Sequence, residues 1–147
     1  MKAQTRPPAV IFERRPRGTV GKSAAFVVML PHDYPAKMLT HELHHVKQWW
    51  AVTLFSAAVI FALASFAPFV SYYAMFLSVG VMGAFYRFSA WFRFKAEASA
   101  YAAGFTNDPN ELDKYAKVLS SSLYSTGKTF DECKRGIALR LYTGKLF

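Results

Sequence analysis

Positions 41 to 45 have the spacing H-E-x-x-H, which brings together residue types that can bind a metal ion and activate water. On a helix, His41 and His45 lie one turn apart on the same face, so both imidazoles can bind one ion. Glu42 is rotated by about 100° from His41, where its carboxylate can accept a proton from a water that the metal activates. The spacing therefore predicts a zinc site with His41 and His45 as ligands and Glu42 as general base.

A catalytic zinc needs a third protein ligand and an open position for water, and Glu97 is the candidate. In an antiparallel pair of helices that turns near residue 69, position 97 lies level with His41. Pro68 predicts that turn independently. The alternative for Glu97 is a solvent-exposed ion pair with Arg93, which precedes it by one helical turn.

Further polar residues surround this predicted cluster. Tyr101, one turn after Glu97, can hydrogen-bond the oxyanion of a tetrahedral intermediate, although core packing explains a tyrosine in so aromatic a chain as well. His44 is offset from the face of the predicted ligands and is interpreted as a surface or interfacial residue. His32 precedes the helix and is a further candidate ligand or substrate contact. Gln48 is expected to serve helix packing or to hydrogen-bond a ligand.

The elements that must position these residues are predicted to be mainly helical. Ala9–Phe12 and Ala24–Leu30 are short β-like runs that can pair as a hairpin. Gly80 and Gly83 are the weak points of the second long helix, which is predicted to end at a capping Gly104. We expect one zincin-like unit over 1–147, which begins with a β-hairpin and loops in 1–34. An active-site helix that runs into an apolar helix follows over 35–67, and a second apolar helix over 69–104 carries Glu97. Two C-terminal helices are expected in 108–147, and a capping box at Thr129 and Glu132 begins the last one.

Residues 49–86 form a block of 38 positions without a charged side chain. This length suffices for two membrane spans of about 18 to 19 residues, near the lower limit. Aromatic residues lie where interfacial belts are expected, at Trp49, Trp50, Tyr72, Tyr73, Tyr86 and Trp91. We predict a membrane hairpin, because so short a chain has little other protein to cover two helices that are apolar on every face. The alternative is two buried helices of a soluble domain.

The net charge of +9 is divided between the two flanks of this block. Residues 1–48 hold eight basic and three acidic side chains, and residues 87–147 hold ten and six. Basic flanks on both sides predict that both flanks lie on the cytoplasmic face of a membrane. We expect the bacterial inner membrane, with the active site on the cytoplasmic side; the alternative is a cytoplasmic protein. No nucleic-acid-binding motif accompanies the charge, so nucleic acid is not an expected partner. The single cysteine, Cys133, excludes a cysteine zinc cage.

The motif HELxHVxQ over 41–48, followed by E-A-x-A-Y over 97–101, resembles the gluzincin metallopeptidases, whose third zinc ligand is a glutamate. The order of active-site helix, two membrane helices and returning glutamate is similar to the membrane CAAX-type prenyl proteases and their bacterial quality-control relatives. It also resembles small zincin-like proteins of bacteria and phages. The resemblance covers about residues 24–104. The prenyl-protease pattern usually has an aspartate where this chain has Tyr101.

The resemblance implies a peptidase with zinc on His41, His45 and Glu97. It also implies catalysis by Glu42, and a peptide or protein substrate whose backbone is added as a strand beside Ala25–Met29.

Three hypotheses follow. The first is a zinc-dependent endopeptidase at the membrane surface. The second is a non-enzymatic membrane protein whose helical hairpin acts by insertion or partner binding, with the histidines incidental or holding a structural metal. The third is a soluble metallopeptidase with a buried helical pair.

Overall fold

The computed structural model describes residues 2–6, 9–14, 22–66, 72–106, 108–144 and 146–147. The described chain is mainly helical with a small N-terminal sheet, which confirms the predicted fold class. The strands are β1 (Lys2–Arg6), β2 (Ala9–Arg14), β3 (Lys22–Ala24) and β4 (Val27–Pro31). The helices are α1 (Ala36–Phe66), α2 (Ser78–Phe88), α3 (Ala90–Ala103), α4 (Pro109–Leu119) and α5 (Phe130–Thr143), and a 3-10 helix at Tyr72–Leu77 precedes α2.

The described strands form a sheet in the order β1-β2-β4-β3. The outer pairs are antiparallel, whereas β2 and β4 run parallel, with Val10 opposite Val27. The predicted pairing of Ala9–Phe12 with Ala24–Leu30 as a hairpin is therefore wrong. Twelve residues separate Arg14 from Val27, about the length that a parallel connection requires. That connection includes β3, which forms its own hairpin with β4.

One face of α1 packs against the sheet. Ile11, Val28 and Leu30 form a buried cluster with Leu39 and Val46 of α1. Leu39 and Val46 are seven residues apart, so they lie on one face of the helix. Burial of this face fixes the rotation of α1 about its axis. The face that carries the predicted zinc ligands consequently turns away from the sheet and towards α3.

The second half of α1 is apolar and largely exposed. Its large exposed side chains are Leu54, Phe55, Val59, Phe61, Leu63 and Phe66. Among the described helices, α1 alone is long and apolar enough to cross a membrane by length and composition, and 17% of its apolar 18-residue window is buried. The predicted turn at Pro68 falls in residues 67–71, outside the described part of the chain. After it come the 3-10 helix and the 11-residue α2.

A break at Ser89 divides the segment that was predicted to be one helix over 69–104. Ser89 has extended backbone angles, and its hydroxyl accepts a hydrogen bond from the amide of Phe92, so it is the N-cap of α3. Serine competes well for backbone donors and favours such caps. The predicted weak points, Gly80 and Gly83, instead lie within α2. The single long helix is therefore wrong, and its break lies at the capping serine.

The end of α3 approaches the start of α1 closely. Gly104 caps α3, as predicted. A Cβ atom at this position would lie 3.0 Å from the carbonyl oxygen of Lys37 and 3.8 Å from Cβ of His41. Because glycine has no Cβ, the two helices can meet here. This contact brings α3 to the level of the histidines on α1.

The C-terminal helices follow their predicted start signals. Asp108 caps α4 with Pro109 in its first turn, and Thr129 and Glu132 form the capping box of α5. Both helices pack behind α3 around a cluster that includes buried Cys133. The helices thus cover the side of α3 that faces away from α1.

Candidate metal centre

Side chains from α1 and α3 meet in one cluster. Nε2 of His41 lies 3.2 Å from Nε2 of His45. The Glu97 carboxylate lies opposite, with Oε2 at 3.5 Å from His41 Nε2 and Oε1 at 3.3 Å from His45 Nε2. These three residues are a group whose ligand atoms are close enough to share a metal ion. Sequence reasoning named the same three.

The spacing of the three residues fits a tetrahedral zinc ion. Zinc–nitrogen distances of about 2.0 to 2.1 Å place neighbouring tetrahedral ligands about 3.3 to 3.4 Å apart. The two Nε2 atoms are 3.2 Å apart, and they lie 3.5 Å (His41) and 3.3 Å (His45) from different oxygens of Glu97. Oε2 of Glu97 is buried and has no hydrogen-bond partner among the described residues. Buried polar atoms are rarely left without a partner, so this oxygen is suited to a cation. The donor set of two imidazoles and one carboxylate is also that of a catalytic zinc site.

Glu97 is held as a carboxylate in a nearly closed environment. Its side chain is 3% exposed, and the hydroxyl of Tyr86 donates a hydrogen bond to Oε1. Burial raises the pKa of the Glu97 carboxyl, but His45 and the close approach of His41 lower it by more, so the net pKa lies below its usual range. A carboxylate that keeps its negative charge while buried is a good ligand for a divalent cation.

Arg93 does not take the role of an ion-pair partner that was weighed for Glu97. Its guanidinium carbon lies 5.9 Å from the centre of the Tyr86 ring. Among the described residues, the charged or hydroxyl partners of Glu97 are His41, His45 and Tyr86. The arginine therefore contacts the tyrosine that orients Glu97.

A cavity of about 670 Å³ lies beside the cluster. His41, His45 and Glu97 line it, and so does Glu42, whose exposed fraction is 6%. The predicted general base thus shares one cavity with the predicted ligands. The cavity leaves room for a substrate, whereas a purely structural zinc site is closed by four protein ligands.

Tyr101 also lines this cavity, and its ring centre lies 4.6 Å from that of His41. The Tyr101 hydroxyl shares a 2.8 Å hydrogen bond with the hydroxyl of Tyr124. Burial raises the pKa of Tyr124 to about 12 and that of Tyr101 further, so both remain protonated donors. Sequence reasoning missed Tyr124 and interpreted Tyr86 as an interfacial aromatic residue, since no spacing rule links either one to the motif.

The two remaining histidines lie outside the cluster. Nε2 of His44 is 3.3 Å from the carbonyl oxygen of Leu146, on another face of α1. His32 is exposed in the turn before α1 and is not among the described residues that line the cavity. The structure therefore does not bring His32 to the predicted metal.

The strand expected to bind substrate has both of its edges occupied. Val27 of β4 is paired with Val10 of β2 on one side and with Ala24 of β3 on the other. A peptide cannot be added beside Ala25–Met29, so that expectation is wrong. The edge strand nearest the cluster is β3, and Lys22 to Ala24 contribute to the cavity wall.

Comparison with protein-family profiles, with curated proteins and with solved structures gave no match to this chain.

Proposed function

We propose that this chain is a zinc-dependent peptide hydrolase, in which His41, His45 and Glu97 hold the metal and Glu42 is the general base. The observation that carries the proposal is the convergence of the two Nε2 atoms, 3.2 Å apart, on the Glu97 carboxylate, whose Oε1 lies 3.3 Å from His45 and whose Oε2 lies 3.5 Å from His41; these separations are close to the tetrahedral spacing of zinc ligands. The buried Glu42 in the same cavity adds the base that hydrolysis needs. A gluzincin-like activity is the reaction class that combines these groups.

Zinc bound to this cluster would supply Lewis acidity, which activates water and polarises a peptide carbonyl. The protein residues divide the remaining tasks. Glu42 accepts the proton of the attacking water and returns it to the leaving nitrogen. Tyr101 and Tyr124 share one hydrogen bond, so the hydroxyl that accepts in this bond keeps its own proton to donate to a developing oxyanion in the cavity. A peptide lying along the exposed edge of β3 would reach the cluster from the side of the sheet.

The competing function is a non-enzymatic membrane protein that acts by insertion or by partner binding. A metal in such a protein would be structural, and structural zinc sites are closed by four ligands. The cluster has three described candidate ligands and opens onto a cavity. This combination favours hydrolysis over a structural metal.

We expect the zinc-loaded protein, in detergent or lipid, to cleave members of a synthetic peptide library. Removal of zinc by a chelator should abolish cleavage, and equimolar zinc should restore it, because activation of the water depends on the ion. Product peptides are measured by mass spectrometry, with zinc alone as the control. A zinc-loaded, folded protein that cleaves no peptide would contradict the proposal and favour the non-enzymatic alternative.

In the proposed function, the apolar half of α1 spans a lipid bilayer, and the metal centre lies at the membrane surface on the cytoplasmic side. Residues 49–66 would span about 27 Å as a helix, close to the thickness of the hydrocarbon core. The basic residues Arg87, Arg93 and Lys95 directly follow the uncharged block, and basic residues next to a membrane segment favour its cytoplasmic side. The bacterial inner membrane is the expected location.

We expect the expressed protein to stay in the membrane fraction after alkaline carbonate and high-salt washes, and to be released by detergent. Replacement of Leu54, Phe55 and Phe61 by serine should release it, because these exposed side chains are the proposed lipid contacts. The matched control is Leu139→Ser, which changes an exposed leucine of α5. Release of the unmodified protein by salt alone would contradict membrane insertion and favour the soluble metallopeptidase.

A further inference from the structure

A buried hydrogen-bond chain reaches the His45 ring from the side opposite the cavity. Nδ1 of His45 lies 2.9 Å from Oε1 of Gln48, a side chain with 0% exposure. Nε2 of Gln48 lies 3.1 Å from the carbonyl oxygen of Ala96, 2.7 Å from that of Leu146 and 2.7 Å from Oγ of Ser99. Both polar atoms of the buried Gln48 amide therefore have hydrogen-bond partners.

The surroundings of Gln48 determine which way its amide points. The carbonyl oxygens of Ala96 and Leu146 can only accept hydrogen bonds. The NH₂ group must therefore face them, because the reversed amide would bring three acceptor oxygens together in a buried place. Oε1 of Gln48 consequently faces His45 as an acceptor.

An acceptor at Oε1 requires a proton on Nδ1 of His45. In the neutral ring, Nε2 then carries the lone pair. Nε2 is the atom that lies 3.2 Å from His41 Nε2 and 3.3 Å from Glu97 Oε1. With its proton on Nδ1, the neutral ring presents its unprotonated nitrogen at the place where the metal is proposed.

The segment that brings the Leu146 carbonyl to this place, residues 146–147, contacts the same helices. That carbonyl also accepts from Ser99 Oγ at 2.8 Å and lies 3.3 Å from Nε2 of His44. The next residue, Phe147, packs its ring against Phe92, with 5.3 Å between the ring centres. Residues 146–147 thus form a tail contact, which supplies one of the acceptors that orient Gln48.

We infer that Gln48, oriented by the Ala96 and Leu146 carbonyls, is a positioning residue that holds His45 with its proton on Nδ1 and its lone pair towards the metal. The inference rests on the metal site proposed above. Hydrogen bonds to the distal nitrogen of a ligand histidine fix its tautomer and ring orientation, and loss of such a bond typically lowers metal affinity by about 10- to 100-fold. The sequence motif alone contains no sign of the tail contact.

The test is Gln48→Met, which keeps a similar volume and removes both the acceptor and the donor. We expect zinc affinity, measured by competition with a chromophoric chelator, to fall by about 10- to 100-fold. The His45 Nδ1 proton, observed by NMR of the ¹⁵N-histidine protein, should lose its protection from exchange. The control is Val46→Ala, a truncation on the face packed against the sheet, which should lower the melting temperature and leave zinc affinity unchanged. Wild-type affinity and a protected Nδ1 proton in Gln48→Met would overturn the inference.

A second variant tests the tail contact if Gln48→Met does not fold. Deletion of residues 145–147 removes the Leu146 carbonyl and should also lower zinc affinity, whereas Phe147→Ala keeps that carbonyl and should leave zinc affinity near wild type. Equal affinities in both tail variants would contradict the role of the tail. Failure of the metal site gives a different result: a wild-type protein that binds no zinc, with Nδ1 of His45 still protonated. An unprotonated Nδ1 in the wild-type protein would overturn the inference itself.

Discussion

Replacement of Glu42 by glutamine is expected to lower peptide hydrolysis by about 10²- to 10⁴-fold while the zinc content stays at one ion per chain. Glutamine has the same size, so it fills the space of a side chain that is 6% exposed. Its amide oxygen cannot take a proton from water at neutral pH, and the proton transfer of the proposed mechanism is lost. Zinc is retained because the described candidate ligands are His41, His45 and Glu97. The effect should fall on kcat, with KM near its wild-type value.

Hydrolysis is measured on the peptide identified by the library screen, and zinc by atomic emission on the same samples. The matched control is Glu132→Gln, the same chemical change in the capping box of α5, where glutamine also satisfies the motif. That variant should cleave at the wild-type rate. A Glu42→Gln protein that binds zinc and cleaves normally would show that another group is the base, and the assigned mechanism would be wrong.

The position of Glu97 could be predicted because one register rule happened to hold at the site. A straight helical hairpin that turns near residue 69 places His41 level with position 97, and the structure brings those two side chains within 3.5 Å. The same rule fails further along α1. It places Trp49 level with position 89, whereas the Trp49 indole donates to the carbonyl of Val79 at 3.0 Å. The break at Ser89 accounts for the difference, because α2 and α3 approach α1 as separate helices.

Local signals predicted α1, α4 and α5 and the caps of α4 and α5, whereas contacts between distant segments could not be predicted. The Asp108 cap and the Thr129 capping box depend on neighbouring residues only. The parallel pairing of β2 with β4 depends on how a long connection closes, and no residue within either strand specifies it. The contact of Gln48 with the Leu146 carbonyl spans 98 positions and involves a backbone atom, which carries no side-chain signature.

Replacement of Glu97 by glutamine is expected to weaken zinc binding by more than about 100-fold. Loss of a group that only hydrogen-bonds a metal ligand already lowers metal affinity by about 10- to 100-fold, and Glu97 is proposed to be a ligand itself. Glutamine keeps the shape of the side chain and can still accept the hydrogen bond from Tyr86. The variant removes only the negative charge and one strong ligand oxygen. Zinc should raise the stability of the unmodified protein by about 2.7 kcal/mol at a free concentration 100 times the Kd. It should raise that of the variant very little at the same concentration.

Zinc binding is measured by chelator competition and by the zinc-dependent shift of the melting temperature. The control is Glu111→Gln, which alters a carboxylate of similar burial, 5% exposed against 3% for Glu97. The hydrogen bond from Lys37 lowers the pKa of Glu111 to about 2, so this carboxylate is also charged, but it lies outside the cluster. Glu111→Gln should lose stability and keep its zinc affinity.

The Glu97 and Glu42 variants together discriminate between two assignments of the same cavity. If Glu97→Gln binds zinc as tightly as the unmodified protein, the third ligand must be another group. Among the described residues, Glu42 is the other buried carboxylate that lines the cavity. Glu42→Gln would then lose zinc and hydrolysis at once, because a ligand and not a base would be missing. If Glu42→Gln keeps zinc and Glu97→Gln loses it, the roles are as proposed. Loss of a ligand weakens zinc binding itself, whereas loss of the general base affects only the proton transfer that follows zinc binding.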